Sequence, residues 1–167
     1  MLIRPERPAD IPHIRAVNLA AFGTSTEANL VDVLRGRADP FMSLVAEGGG
    51  VVVGHILFTP VTLLEHPQVR IMGLAPMAVL PSRQRKGVGS ALVRDGLERC
   101  RLSGVQAVVV LGHAEYYPRF GFIPASRAGL RCDYDVPDDV FMVFELDGGS
   151  LQGRPGTIRY HPAFADA

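Results

Sequence analysis

The sequence is poor in several features that would place a protein in a class at once. Its two cysteines, Cys100 and Cys132, have neither metal-ligand spacing nor a secretory context, so we expect free thiols and no metal site. Its only lysine is Lys86, and its 17 basic residues are balanced by 17 acidic ones. A net charge of zero lacks the basic excess of a general nucleic-acid binder, so we expect no nucleic-acid partner.

Long apolar runs and signal-peptide features are also scarce. The first ten residues, MLIRPERPAD, lack the apolar core of a signal peptide, and no apolar run approaches the ~20 residues that cross a bilayer. We therefore expect a cytoplasmic protein with no membrane partner. A length of 167 residues suits a single domain over 1–167, with 148–167 as a C-terminal tail.

Hydrophobic periodicity and turn residues predict an alternating series of strands and helices. In order, we predict a strand, two helices, three meandering strands, a helix and a strand at residues 2–5, 11–22, 27–34, 42–47, 51–64, 69–80, 90–100 and 106–112. A loop is predicted at 124–130, a buried strand at 140–146 and a short edge strand at 156–160. The helix at 90–100 must cross over the sheet, so the strands around it should pair in parallel. The predicted fold is an α/β single domain, with an antiparallel meander, one parallel pair and helices on both faces.

The most informative stretch reads PSRQRKGVGSAL and lies where a predicted strand gives way to a predicted helix. The first NH groups of a helix have no carbonyl partners within it, and Gly87 and Gly89 let an anion approach the backbone closely. Arg83, Arg85 and Lys86 add positive charge where the helix dipole already favours a negative ligand. We interpret this stretch as a cradle for a pyrophosphate.

Two other phosphate-binding motifs do not fit this stretch. A dinucleotide fingerprint needs Gly or Ala where Leu92 stands, and a P-loop needs Gly before Lys, whereas Lys86 precedes Gly87. What matches is Gln84-x-x-Gly87-x-Gly89, the acyl-CoA signature Q/R-x-x-G-x-G/A. On this motif the chain resembles the GNAT superfamily of N-acetyltransferases, which implies acetyl-CoA as the co-substrate and no metal. The structural alternative is a glycine-softened helix start with solvated arginines.

A second element strengthens the resemblance. In EYYPRFGF, residues 115–122, Tyr117 stands four residues before a Gly-Phe pair, like the GNAT tyrosine that faces the sulfur of the cofactor. The resemblance implies that Tyr117 is the general acid, because a phenol with a pKa of about 10 stays protonated at pH 7 and can donate to a leaving thiolate. The alternative, which we prefer for Tyr116, is a packing role. This segment and the closing RYHPAF resemble the YhbS-like bacterial predicted acetyltransferases.

The resemblance also implies which groups hold the cofactor. Backbone groups of Met77, Ala78 and Val79 would hold pantetheine and the thioester, where the family's sheet splays and pantetheine lies like an extra strand. The diphosphate would lie on the segment that we call the cofactor loop, formed by Gln84, Arg85, Lys86, Gly87, Val88, Gly89 and Ser90.

The general base is not fixed by the resemblance. An alkylamine with a pKa of about 10.4 is mostly protonated at pH 7, so a base or a water chain to one is expected. The strand position that carries a glutamate in histone-type members is Gly73 here. By placement, Glu27 and His113 are candidate bases, with Glu115 a further one. His55 lies in an apolar strand, where a histidine is more often a bonded core residue, and water is the remaining alternative.

The sequence thus predicts an acetyl-CoA-dependent N-acetyltransferase. It would move the acetyl group directly from the thioester to a primary amine of a small molecule, a protein or a peptide, without an acyl-enzyme. The competing hypothesis is a non-catalytic module that binds or senses acyl-CoA, which would keep the cofactor loop but need no phenol. The acceptor is not readable, and a homodimer is compatible with the sequence.

Overall fold

The structure is a computed structural model that describes residues 1–166. These residues form three α-helices, α1 (Ile11–Phe22), α2 (Thr26–Arg37) and α3 (Val88–Leu102). The strands are β1 (Leu2–Pro5), β2 (Met42–Gly48), β3 (Val51–Leu63), β4 (Ile71–Val79), β5 (Ala107–Leu111), β6 (Ile123–Pro124), β7 (Leu130–Cys132), β8 (Phe141–Glu145) and β9 (Gly156–Arg159). Short 3-10 helices occur at Pro8–Asp10, Pro81–Arg83, Tyr117–Phe120, Ala125–Ala128, Asp138–Val140 and Pro162–Asp166.

The strands form a mixed sheet in the order β1-β2-β3-β4-β5-β8-β6. The pairs β1–β2, β2–β3, β5–β8 and β6–β8 are antiparallel. The predicted parallel pair is confirmed, since β4 and β5 align from Ile71 opposite Ala107 to Leu74 opposite Val110. The fold is therefore the mixed α/β sheet that the sequence predicts, and a crossover through α3 connects its parallel pair.

The contacts of the chain group into two compact units. One comprises residues 1–59, 75–96 and, at the end of the described chain, 162–166, and the other comprises Pro60–Leu74 and Leu97–His161. The two units are described separately below.

The first unit places helices on both faces of its strands. On β3, His55 is hydrogen-bonded to Asn18 of α1, whereas Gly54 faces Val88 of α3. Because neighbouring residues of a strand point to opposite faces, α1 and α3 cover opposite sides. The α1 side encloses a buried apolar cluster whose main members are Ile14, Val17, Leu30, Val31, Leu34, Val45 and Leu57.

The second unit is built on β5, where Ala107, Val108 and Val109 have no exposed surface. Such a continuous apolar run is typical of a strand buried on both sides. The prediction of a loop at 124–130 is wrong, because β6, a 3-10 helix and the start of β7 occupy this stretch.

The C-terminal strand is integrated into the second unit. The expected edge strand at 156–160 is not an edge, since β9 pairs with β3 on one side and in parallel with β7 on the other. Glu65 Oε1 accepts a 2.8 Å hydrogen bond from the Thr157 NH and so ties down the start of β9. Ile158 is fully buried as a result.

Three further features bear on the exclusions made above. Both cysteines are free, as predicted, with Cys100 buried and Cys132 half-buried. No helix within residues 1–166 is long and apolar enough to span a membrane. The same residues contain no group of three His, Cys, Asp or Glu side chains suited to a metal ion.

Candidate active site

The cofactor loop has an unusual backbone. Among residues 1–166, Arg85 is the one non-glycine residue with a positive φ, which is 62°. Gly87 follows with φ 86°. A left-handed conformation costs a residue with a Cβ roughly 1–2 kcal/mol, so surrounding contacts must hold it. Alternating left- and right-handed residues direct successive NH groups into one concavity, which suits an anion.

The side chain of Gln84 supplies one of those contacts. Its Nε2 donates a 3.0 Å hydrogen bond to the carbonyl oxygen of Val79, the last residue of β4. The next residue, Leu80, is fixed in turn, since its NH donates to Val53 O at 2.9 Å and its carbonyl accepts from Arg83 N at 2.8 Å. The first residue of the signature therefore anchors the cofactor loop to the end of β4, a role that the sequence alone did not indicate.

The rest of the cofactor loop opens α3. The Ala91 NH donates to Gly87 O at 3.0 Å, which is the first bond of the helix ladder. By helix geometry, the preceding NH groups of Val88 and Gly89 have no acceptor within the helix. Val88 is buried, while Lys86 and the other residues from 81 to 87 are exposed. This end of α3 thus combines unsatisfied donors, the positive end of the helix dipole and basic side chains.

Tyr117 lies in the second unit, at the start of a one-turn 3-10 helix that follows β5. Pro118 and the left-handed Gly121 confine this segment to a single turn. The NH groups of Tyr116 and Tyr117 both donate to His113 O, at 3.1 and 3.4 Å. The short turn therefore fixes Tyr117 to the residue that the sequence singled out as a candidate base.

Tyr117 is 7% exposed, and its ring lies among other aromatic rings. Its centroid is 5.1 Å from that of Tyr116 and 5.6 Å from that of Phe122, both with edge-to-face geometry. Burial, with a smaller contribution from Tyr116, raises the pKa of Tyr117 to about 12. The phenol consequently keeps its proton throughout the neutral range.

Gly112 is a residue of this site that the sequence reasoning missed. A Cβ added there would overlap the Tyr117 ring, so only glycine leaves room for the phenol in its observed position. The available signal was a glycine directly after a buried strand, which often marks a close approach by another group.

The remaining base candidates differ in exposure. Glu27 is half-buried in the first turn of α2, where Thr24 Oγ1 donates to its Oε1 at 3.4 Å. His113 and Glu115 are exposed beside the Tyr117 turn.

His55 is the bonded core histidine that the sequence favoured. It is fully buried, and burial, opposed by the Glu6 carboxylate, lowers its pKa to about 3. Ser43 Oγ donates its only hydrogen to Glu6 Oε1 at 2.7 Å. Toward His55 the hydroxyl oxygen must therefore be the acceptor, and His55 Nε2, which lies 2.9 Å away, must be the donor. Asn18 Nδ2 then donates to Nδ1 at 3.2 Å. His55 is neutral and bonded at both nitrogens, which makes it structural.

Gly73 cannot be replaced by a base without rearrangement. A Cβ at this position would lie 3.0 Å from Tyr160 Cε1 and 3.0 Å from Val61 Cγ1. Tyr160 is 5% exposed and comes from the segment that directly follows β9. The C-terminal segment thus covers the β4 position to which the resemblance assigns the glutamate of histone-type members, which the sequence did not reveal.

The model of the acetyltransferase (GNAT) family matches residues 13–122, a span that includes the cofactor loop and Tyr117. The chain belongs to the GNAT family. As a GNAT protein it is an acyltransferase, which favours the enzymatic hypothesis over a binding module.

Individual relatives support the membership over nearly the whole chain. The GNAT chain is 43% identical over 164 residues to the uncharacterized N-acetyltransferase YjhQ of Escherichia coli K12, covering 95% of this chain and 88% of the relative. It is 36% identical to the E. coli YhbS protein, and the crystal structure of YhbS in complex with CoA superposes with a TM-score of 0.92 over 98% of this chain and 91% of the relative. A GNAT acetyltransferase of Brucella melitensis in complex with acetyl-CoA is 37% identical, with a TM-score of 0.78 over 98% and 97% of the two chains.

Proposed function

We propose that this GNAT protein transfers an acetyl group directly from acetyl-CoA to a primary amine of a small molecule, a protein or a peptide. The observation that carries the proposal is the cofactor loop, whose left-handed Arg85 and anchoring Gln84 present backbone donors at the start of α3. The YhbS and Brucella relatives, which bind CoA and acetyl-CoA, support acetyl-CoA as the co-substrate.

The proposed binding roles follow the two halves of the cofactor. Arg85, Lys86 and the NH groups of Gly87 to Ser90 hold the diphosphate. Backbone groups of Met77, Ala78 and Val79 hold pantetheine and orient the thioester. Pro76 precedes them in β4 and has no NH to offer to a neighbouring strand, which favours a strand end open to a ligand.

In the proposed reaction, the amine nitrogen forms a bond to the acetyl carbon, and the carbon–sulfur bond breaks. The amine loses one proton, and the thiolate gains one. Tyr117 acts as the general acid. Because burial raises the pKa of Tyr117 to about 12, above the ~8.5 of a thiol, its contribution begins as a hydrogen bond to the developing thiolate. The amine gives up its proton to the base or to water, which balances the proton that the thiolate gains.

The base is proposed to be Glu27 or His113, with water as the alternative carrier. Glu27→Gln and His113→Asn can be compared by the pH dependence of kcat/KM. The variant that removes the base should lose the acidic limb of the profile and retain its affinity for CoA. If both variants keep that limb, Glu115 or water carries the proton.

A ligand panel tests the cofactor. Acetyl-CoA and CoA at about 100 times Kd should stabilise the protein by about 2.7 kcal/mol, which raises Tm by roughly 5–10 °C for a chain of this size. NAD and ATP should not shift Tm. Equal shifts with all four ligands would contradict acyl-CoA specificity. Acceptor amines are then screened by release of the CoA thiol.

Substitution of Tyr117 tests the acid. Tyr117→Phe should lower kcat roughly tenfold or more and leave the Kd of CoA within about twofold, because only the hydroxyl is lost. Tyr116→Phe is the matched control and should retain kcat. Unchanged turnover in Tyr117→Phe would remove this residue from the mechanism. CoA binding without turnover of any amine would favour a sensing module.

We further propose that residues 1–167 act as one functional domain in the cytoplasm. Two copies pairing as a homodimer are compatible with it, and light scattering of the purified protein measures that state directly.

A further inference from the structure

Lysine is almost absent from this chain, and the place of its single occurrence stands out. The other basic residues are all arginine, yet the cofactor loop carries Lys86 next to Arg85. Lys86 is exposed and lies in the segment where Arg85 and Gly87 have left-handed backbones. Its amine is thus presented to solvent from the turn to which we assign the diphosphate.

The two kinds of basic side chain differ in what can modify them. A guanidinium does not give up its proton in proteins and holds phosphate in a bidentate manner, whereas an ε-amine is a nucleophile that acyl donors can acetylate. Acetylation removes the positive charge and the ability to pair with an anion. Because Lys86 is the only lysine in the sequence, the side-chain amine that can react in this way lies in the cofactor loop.

We propose that Lys86 is an acylation site through which acyl donors lower the affinity of the protein for its own cofactor. With acetyl phosphate as donor, the Lys86 nitrogen forms a bond to the acetyl carbon, the bond from that carbon to the phosphate oxygen breaks, and inorganic phosphate leaves. The amine proton passes to water. The product is a neutral amide where the cofactor loop otherwise presents a cation.

The inference rests on the proposed function, because it requires that the cofactor loop binds the diphosphate of CoA. It also carries a reciprocal consequence. A ligand that covers Lys86 must protect it from acylation. If acylation weakens the binding of that ligand, the bound ligand must in turn disfavour acylation. Cofactor-free protein is therefore the form that becomes acylated.

The experiment treats the whole protein with acetyl phosphate, with and without saturating CoA, and follows it by intact mass and peptide mapping. CoA affinity is then measured by calorimetry. Three variants accompany it. Lys86→Arg keeps the charge and cannot be acylated, Lys86→Gln is neutral, and Arg37→Lys adds an exposed lysine at the end of α2.

We expect one side-chain acetyl group, on Lys86, and protection of that residue by CoA. Acetylation should weaken CoA binding about five- to tenfold, the effect of removing one charge near a diphosphate at a wet surface. Lys86→Gln should show a similar loss without treatment. Treatment should leave the CoA affinity of Lys86→Arg where it was before, and the new lysine of Arg37→Lys should react equally with and without CoA.

Three results would overturn the inference. They are an unmodified Lys86 in a sample whose Arg37→Lys lysine reacts, equal modification of Lys86 with and without CoA, and unchanged CoA affinity after modification. Untreated protein that does not bind CoA at all would instead refute the proposed function, and the inference with it.

Discussion

At the scale of single residues, Gly112 determines where the Tyr117 hydroxyl can be. Gly112→Ala should displace the Tyr117 ring, because the added Cβ would overlap it. We expect kcat to fall at least about tenfold and stability to fall by about 1–3 kcal/mol, the usual cost of overpacking. Steady-state kinetics and urea unfolding measure the two effects.

The matched control for this change is Gly148→Ala in the same unit. Apart from its chain neighbours, no atom of residues 1–166 lies within 4 Å of a Cβ built at Gly148, so kinetics and stability should both stay near those of the parent protein. A parent-like kcat in Gly112→Ala would mean that the position of the ring does not matter for turnover.

His55 links stability to pH. Its pKa in the folded protein is about 3, lowered from 6.5 mainly by burial, so the unfolded chain binds the extra proton from about pH 6.5 downward. The stabilisation is therefore complete above pH 6.5 and is lost as pH falls, by up to about 1.4 kcal/mol per pH unit.

Urea unfolding at pH 7.5, 6.5 and 5.5 tests this dependence. The His55→Gln variant can keep a donor and an acceptor but does not titrate, so its stability should be lower at pH 7.5 and should change less between pH 6.5 and 5.5. If the free energy of unfolding changed equally with pH in the parent protein and in His55→Gln, His55 would not be the source of this pH dependence. Glu6 and Asp10, whose pKa values are lowered by their arginine partners against the cost of burial, contribute only at lower pH.

Candidate site residues could be named where a motif or the family resemblance points to them. The cofactor motif from Gln84 to Gly89 was predicted from its spacing, Tyr117 was predicted from the GNAT resemblance, and His55 was expected to be a bonded core residue because it lies in an apolar strand. Tyr160 could not be predicted, because its ring approaches Gly73 from a distant part of the sequence, and Gly112 was missed because its contact with the Tyr117 ring depends on how the turn between them folds back. Spacing along a chain does not report such contacts.

At the scale of secondary-structure elements, the packing of α3 on β3 depends on one glycine. A Cβ at Gly96 would overlap the fully buried Phe58 ring, so Gly96→Ala should destabilise the protein by about 1–3 kcal/mol. Gly36 in α2 has open space around it, and Gly36→Ala should stabilise by about 0.5–1 kcal/mol through helix propensity. Thermal unfolding of both variants gives the comparison, and a shared sign would contradict it.

Elements with strong periodicity were predicted well. The bounds of α1 agree with the prediction, and α2 and α3 extend by a few residues beyond the predicted spans. The strands β6 and β7 were missed because two or three residues carry no periodicity. The pairing of β9 on both sides also depends on β7, so missing one strand led to the wrong placement of the other.

At the scale of the whole molecule, the C-terminal residues belong to the packed structure although the family match ends at residue 122. Leu151 and Ile158 are 2% and 0% exposed, and Tyr160 is buried as well. Deletion of 148–167 should therefore abolish cooperative unfolding, which calorimetry and circular dichroism would show. Glu65→Gln, which weakens the bond to Thr157 and removes the 3.6 Å ion pair with Arg131, should unfold cooperatively at a lower temperature. A deletion that melts like the parent protein would show that the segment is dispensable.

The ring of Tyr160 over Gly73 also limits how this enzyme could be redesigned. Grafting a carboxylate onto β4 by Gly73→Glu alone would force the new side chain against the ring, and the protein would lose stability before it gained a base. Adding Tyr160→Gly would remove the ring and leave space for the new side chain. A carboxylate at position 73 therefore requires a second change at Tyr160, which is 87 positions away in sequence.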